Sequence, residues 1–229
     1  MGAALGKSPE IGGIHINYEG QWLIPGLSTE DRWWPNKFVA WESVQCVWRA
    51  AALQASASDH RTRWILEKSP SNIVRAEKLL EIFPNSRAVV STRSPLPTVI
   101  SQAARYDHPL YQGVSREDIL RYLTHLWITM AEHLDHITKN HPADTLTYEQ
   151  FCSEPHSLFR AFQLEHCAPV SGEKITVNVK GRGDQEIQNQ NDRQIASAST
   201  TDRRIICDEL RKRSDMLRRF GYEEILDHP

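Results

Sequence analysis

The chain has 229 residues, 40% of them hydrophobic and 24% charged, with a net charge of −2. This is an ordinary soluble composition, sufficient for one packed domain over residues 1–229. Near-neutral charge excludes a global field toward nucleic acid or a membrane surface, so an anion site has to be local.

No apolar run approaches the roughly 18–20 residues of a membrane helix, so no span is expected. The apolar part of MGAALGKSPEIGG is too short for a signal peptide, and Gly6-Lys7 breaks the myristoylation pattern. Residues 8–40 read as mostly irregular, with a short strand at Ile14-His15-Ile16 and five tryptophans (Trp22, Trp33, Trp34, Trp41, Trp48) within the first fifty residues. Residues 41–58 have helical spacing. Arg63–Glu67 and Ala88–Thr92 are short apolar runs of the kind found in buried parallel strands. Between them Ile73, Ala76, Leu79, Leu80 and Phe83 fall on one face of a helix over Asn72–Phe83, with Pro70 suited to a first turn and Pro84-Asn85 as a stop. Ser115 opens a long amphipathic helix to Lys139, with Glu117 and Asp118 in its first turn. A third strand is expected at Thr145–Tyr148, a helix over Glu149–His166, loop over 171–200, and a basic helix from Thr201 to Phe220 that stops at Gly221. Strands alternating with helices predict an α/β fold, a parallel sheet flanked by helices.

The cysteines Cys46, Cys152, Cys167 and Cys207 show no C-x-x-C pair, and no His/Cys spacing resembles a zinc site. They read as buried free thiols in a reducing compartment. With no N-x-[ST] sequon, this favours a cytoplasmic location.

The chemistry concentrates in Trp64–Tyr106, where each strand ends in a cation followed by Ser-Pro: Lys68-Ser69-Pro70 and Arg93-Ser94-Pro95. In parallel α/β sheets ligands collect beyond the carboxyl ends of the strands. Two cations at that edge, each before a helix N-terminus, suit a phosphate- or sulfate-rich ligand. Pro95 and Pro97 delay the helix after Arg93, which puts Ser101 in its early turns; a guanidinium and a hydroxyl converging there can clamp one phosphate. The competing reading makes Arg93 a salt-bridge partner and Ser101 a plain helix-surface residue.

The spacing R-x-P-x-x-x-x-x-S of Arg93, Pro95 and Ser101 resembles the 3′-phosphate motif of sulfotransferases that use 3′-phosphoadenosine 5′-phosphosulfate (PAPS), of the tyrosylprotein and carbohydrate type. Glu67-Lys68-Ser69-Pro70, Phe83-Pro84, Leu146-Thr147-Tyr148-Glu149 with Glu154-Pro155, and the closing Phe220-Gly221-Tyr222 resemble that family in the same order. The resemblance implies a P-loop-NTPase-like sulfotransferase fold, with Arg93 and Ser101 on the 3′-phosphate, Tyr148 near the adenine, and Lys180-Gly181 as the loop over the 3′-phosphate. Sulfuryl transfer also needs positive charge on the leaving oxygen, for which Lys68 is the candidate with no metal, and a base for the acceptor proton. Glu19, beside Tyr18 and Trp22, resembles the family's proposed base, and such rings would raise its pKa toward that task. Glu67 is the reserve. His15 and the other nine histidines show no paired acid. The tryptophans suit either core packing or an aromatic wall for an acceptor.

The family's G-x-x-R-S-G-T-[ST] loop, which cradles the 5′-phosphosulfate, is not in this sequence. MGAALGKSPEIGG is expected to begin inside the helix after that loop, so that the first strand is missing; a start placed too late is favoured over a truncated chain and a degenerate homologue. The expected activity is sulfuryl transfer from PAPS, leaving 3′,5′-ADP, to a hydroxyl or amine of a small-molecule, carbohydrate or peptide acceptor. Nucleic acid is not an expected partner, and homo-oligomerisation stays open. The rival is a non-catalytic nucleotide-binding module, or a truncated or degenerate homologue, that keeps only the 3′-phosphate half-site.

Overall fold

The computed structural model describes residues 1–105, 113–169, 175–179 and 183–227. In chain order they form α1 (Gly2–Leu5), β1 (Ile11–Gly13), α2 (Trp41–Ser58), β2 (Trp64–Leu66), α3 (Ala76–Ile82), β3 (Ala88–Thr92) and α4 (Pro95–Ala103). After these come α5 (Arg116–Asn140), β4 (Ala143–Thr147), α6 (Tyr148–Ser153), α7 (Ser157–Ala161), β5 (Thr176–Val179), β6 (Gly183–Glu186), α8 (Asn191–Ala196), α9 (Thr200–Arg211) and α10 (Ser214–Phe220). This is a mixed α/β chain of short sheets flanked by helices. Its described strands form three two-stranded sheets: β1 with β2, β3 with β4, and β5 with β6.

The chain divides into two compact units. The first comprises Met1–Val89, His141–Asp144 and Glu154–Ile187. Its β1 and β2 pair in parallel, Ile11 opposite Trp64 and Gly13 opposite Leu66. Ile14, Ile24, Leu27, Val39, Val44 and Trp48 make its buried core, with the Trp48 ring stacked on Phe83 at 5.8 Å. The strand expected at Ile14–Ile16 lies three residues earlier. The ladder ends where Ile14 N–H donates to the Leu66 carbonyl, and Asn17 and Tyr18, both at positive φ, then turn the chain. The helix expected over Asn72–Phe83 is a 3₁₀ turn over Pro70–Arg75 followed by α3, because Arg75 has non-helical φ/ψ.

The second unit comprises Val90–Asn140, Thr145–Ser153 and Gln188–Pro229. Leu96, Val99, Ile100, Leu120, Leu123, Ile206, Leu210 and Leu217 fill a core to which α4, α5, α9 and α10 each contribute. The Ser115 hydroxyl caps α5 by accepting from Asp118 N–H at 3.1 Å. Gly221 ends α10 in the left-handed conformation at φ 74°, which glycine adopts without a Cβ clash.

Three other expectations on helices and loops are corrected. The helix over Glu149–His166 is α6 and α7, interrupted at Glu154-Pro155, since proline lacks the N–H that would continue the ladder. The helix from Thr201 is α9 and α10, separated where Arg213 leaves helical φ/ψ. The stretch 171–200 is not all loop. Val177 and Gln185 face one another in an antiparallel hairpin of β5 and β6, and α8 follows.

Candidate functional site

In the first unit, Glu19 and Lys68 are brought together from 49 residues apart: Lys68 Nζ donates to Glu19 Oε1 at 2.8 Å. Two consecutive left-handed residues, Asn17 and Tyr18, aim the chain at this point, and Lys68 N–H donates to the Tyr18 carbonyl at 2.6 Å. Gly20 follows because a Cβ there would lie 2.8 Å from the Trp48 ring, whose Nε1 donates to the Gly20 carbonyl. Glu19 Oε2 accepts from Gln21 Nε2 and Trp22 Nε1, both at 2.9 Å.

The expected raised pKa of Glu19 is overturned. Burial pushes the carboxyl up, but hydrogen bonds from Lys68, Trp22 and Gln21 with the Lys68 charge hold it below the ordinary value. Glu67 behaves the opposite way. Burial raises its pKa even though Gly20 N–H, Ser69 N–H and Oγ, and Asn72 Nδ2 all donate to it. Glu67 thus anchors the Glu19 loop to the end of β2. It also borders an apolar cavity of about 600 Å³ whose walls include Trp48, Leu66, Leu79, Phe83 and Phe162. Among the tryptophans, Trp48 is core, whereas Trp22 and Trp34 are half or more exposed.

In the second unit, Arg93 lies just past the end of β3 with its guanidinium over the Tyr148 ring, 4.3 Å from the centroid. Its Nε and Nη2 donate to Asn191 Oδ1 at 3.0 and 2.9 Å, and Nη2 also donates to Gln194 Oε1. The Arg93 carbonyl accepts from Trp127 Nε1 at 3.0 Å. Glu149 braces the cluster, accepting from Ser94 N–H at 3.0 Å, Asn191 Nδ2 at 2.6 Å and the Tyr222 hydroxyl at 3.1 Å. The salt-bridge reading of Arg93 therefore gives way, among the described residues, to neutral amide acceptors and a ring. Tyr148 opens α6 instead of ending a strand; its hydroxyl donates to the Gln188 carbonyl.

Ser101 is the seventh of nine residues in α4, in the second turn of that short helix, which starts at Pro95. Lys180-Gly181 lies outside the described residues. Described histidines with acid partners include His125, whose Nε2 is 3.0 Å from Glu209 Oε2, and His141, whose Nε2 is 3.3 Å from Glu77 Oε1. The four cysteines are free, but only Cys167 and Cys207 are buried, while Cys46 is exposed. Asn191, Gln194 and Trp127 were missed by sequence reasoning, and no short-range signal marks them. Glu149 carried one, as the neighbour of Tyr148.

A model of the Sulfotransferase family matches residues 29–163. The chain belongs to this family. The sulfotransferase match includes Lys68, Arg93, Ser101 and Tyr148 and begins after Glu19. No curated protein and no solved structure matches the chain. Among the described residues of this sulfotransferase-family chain, no helix is long and apolar enough to cross a membrane.

Proposed function

We propose that this chain transfers a sulfuryl group from PAPS to a hydroxyl or amine acceptor. One observation carries the reading: a partly buried arginine at a strand end whose hydrogen bonds go to uncharged amide oxygens. Such a guanidinium is oriented by Tyr148, Asn191 and Gln194 yet keeps its charge for an anion. Arg93 would hold the 3′-phosphate with Ser101, and Tyr148 would lie near the adenine. The family's PAPS supplies the activated sulfuryl group; this chain's residues supply charge, orientation and a proton acceptor.

Lys68 Nζ would neutralise the leaving phosphate oxygen. Its movement from Glu19 to that oxygen would remove one hydrogen bond and the charge that depress the Glu19 carboxyl, while the bonds from Trp22 and Gln21 stay. Glu19 would then be a stronger base for the acceptor proton than in the ion pair. Glu67 would hold the Glu19 loop in place by its bond from Gly20 N–H. The apolar cavity beside Glu67 favours a small-molecule acceptor with an apolar body.

The Lys68–Glu19 ion pair also favours a second reading, a module that binds nucleotide without turnover, since the pair ties up both transfer groups. The test is a pair of measurements on one preparation: thermal shift with 3′,5′-ADP, and transfer of labelled sulfate from PAPS across an acceptor panel. Binding with transfer supports the enzyme, binding without transfer supports the module, and no binding overturns both.

A further inference from the structure

Glu10, His166 and Cys167 lie in the first unit, and one ligand atom from each falls within 4.8 Å of the other two. We propose that they form a binding site for one zinc(II) ion. The donors are a carboxylate oxygen, an imidazole nitrogen and a thiolate sulfur. Zinc accepts that set at tetrahedral geometry, whereas magnesium and calcium require oxygen alone. An ionised thiol and carboxylate also balance a divalent charge.

Both sides of the site are fixed by backbone. The Glu10 carbonyl accepts from Arg63 and Trp64 N–H at 2.9 and 3.0 Å, which pins Glu10 at the entry to β1. His166 and Cys167 lie in a 3₁₀ turn closed by Cys167 N–H on the Leu164 carbonyl at 2.9 Å. Arg63 competes for Glu10 through a mostly exposed side chain whose Nε is 3.6 Å away, a long ion pair that a metal can displace. Cys167 is buried and His166 exposed, so the ion would sit at the surface with its sulfur ligand inward and a fourth position open to water. The site ties the strand entry at Glu10 to the turn after α7 and uses none of the residues given roles in sulfuryl transfer.

The test uses the full chain stripped of metal by a chelator, with zinc chloride and cobalt chloride as probes. One equivalent of zinc should bind and raise the unfolding midpoint, and cobalt should give a thiolate-to-metal charge-transfer band in the near ultraviolet. His166→Ala, at an exposed position that the fold tolerates, should weaken zinc binding by at least about tenfold. Cys167→Ser should abolish the cobalt band while circular dichroism reports retained structure, and Cys46→Ser should leave band and affinity unchanged. Absence of stoichiometric binding, persistence of the band in Cys167→Ser, or its loss in Cys46→Ser would each overturn the site.

Discussion

Among the described residues, each of the two units presents a cation at the end of a strand, and they treat it differently. Lys68 in the first unit is neutralised by Glu19 at 2.8 Å. Arg93 in the second is held by two amide oxygens and the face of Tyr148. The contrast follows from chemistry: a flexible ammonium readily changes partner, whereas a planar guanidinium is best kept oriented by fixed acceptors and a ring. The first arrangement suits a group that changes partner during a reaction, and the second suits a standing anion clamp.

The sharpest way to break this contrast is at Glu19. If it is the base, Glu19→Gln should lower sulfate transfer by about 10²–10⁴-fold, with 3′,5′-ADP affinity nearly unchanged in calorimetry. A variant that transfers at the parent rate would remove Glu19 from the reaction. Arg93→Ala should do the reverse, costing about 2–5 kcal/mol of 3′,5′-ADP binding through loss of a charge-assisted clamp. Equal affinity in parent and variant would show that the clamp lies elsewhere.

A smaller effect is expected behind the clamp. Glu149→Gln offers one acceptor oxygen where three donors now converge, so urea unfolding should show a loss of about 1–3 kcal/mol. The smallest effect is on pH. Because Glu19 is depressed below its ordinary 4.5 in the folded chain, its stabilising contribution is present above that value and lost as pH falls through the lower folded pKa. Lys68→Met should flatten that acid-side loss by under about 1 kcal/mol, since Lys68 is substantially exposed. A parent and variant with the same acid slope would show that the pair contributes nothing to stability.

Much of the local structure was legible in the residues. The apolar spacing of Trp41–Ser58 and the run Ala88–Thr92 produced α2 and β3 at their expected bounds, and Ser115 opened a helix and Gly221 closed one as their chemistry requires. The misplaced strand at Ile14–Ile16 has an identifiable cause. Apolar alternation marked that segment, but the pairing partner β2 and the turn at Asn17-Tyr18 put the ladder on Ile11–Gly13. The hairpin of β5 and β6 was hidden because its strands are short and β6, Gly-Asp-Gln-Glu, carries no apolar side chain.

By itself the sequence determined that the chain alternates short strands and helices and that Lys68 and Arg93 stand at strand ends before Ser-Pro. Periodicity, proline and glycine act over a few residues, so they can be read from neighbours. Only the tertiary structure decided the partners of those cations, because Glu19 and Lys68 are 49 residues apart and Arg93 and Asn191 are 98 apart. A pKa depends on just such partners. Rings near Glu19 in sequence suggested a raised carboxyl, and donors that folding delivered from Lys68, Trp22 and Gln21 lowered it.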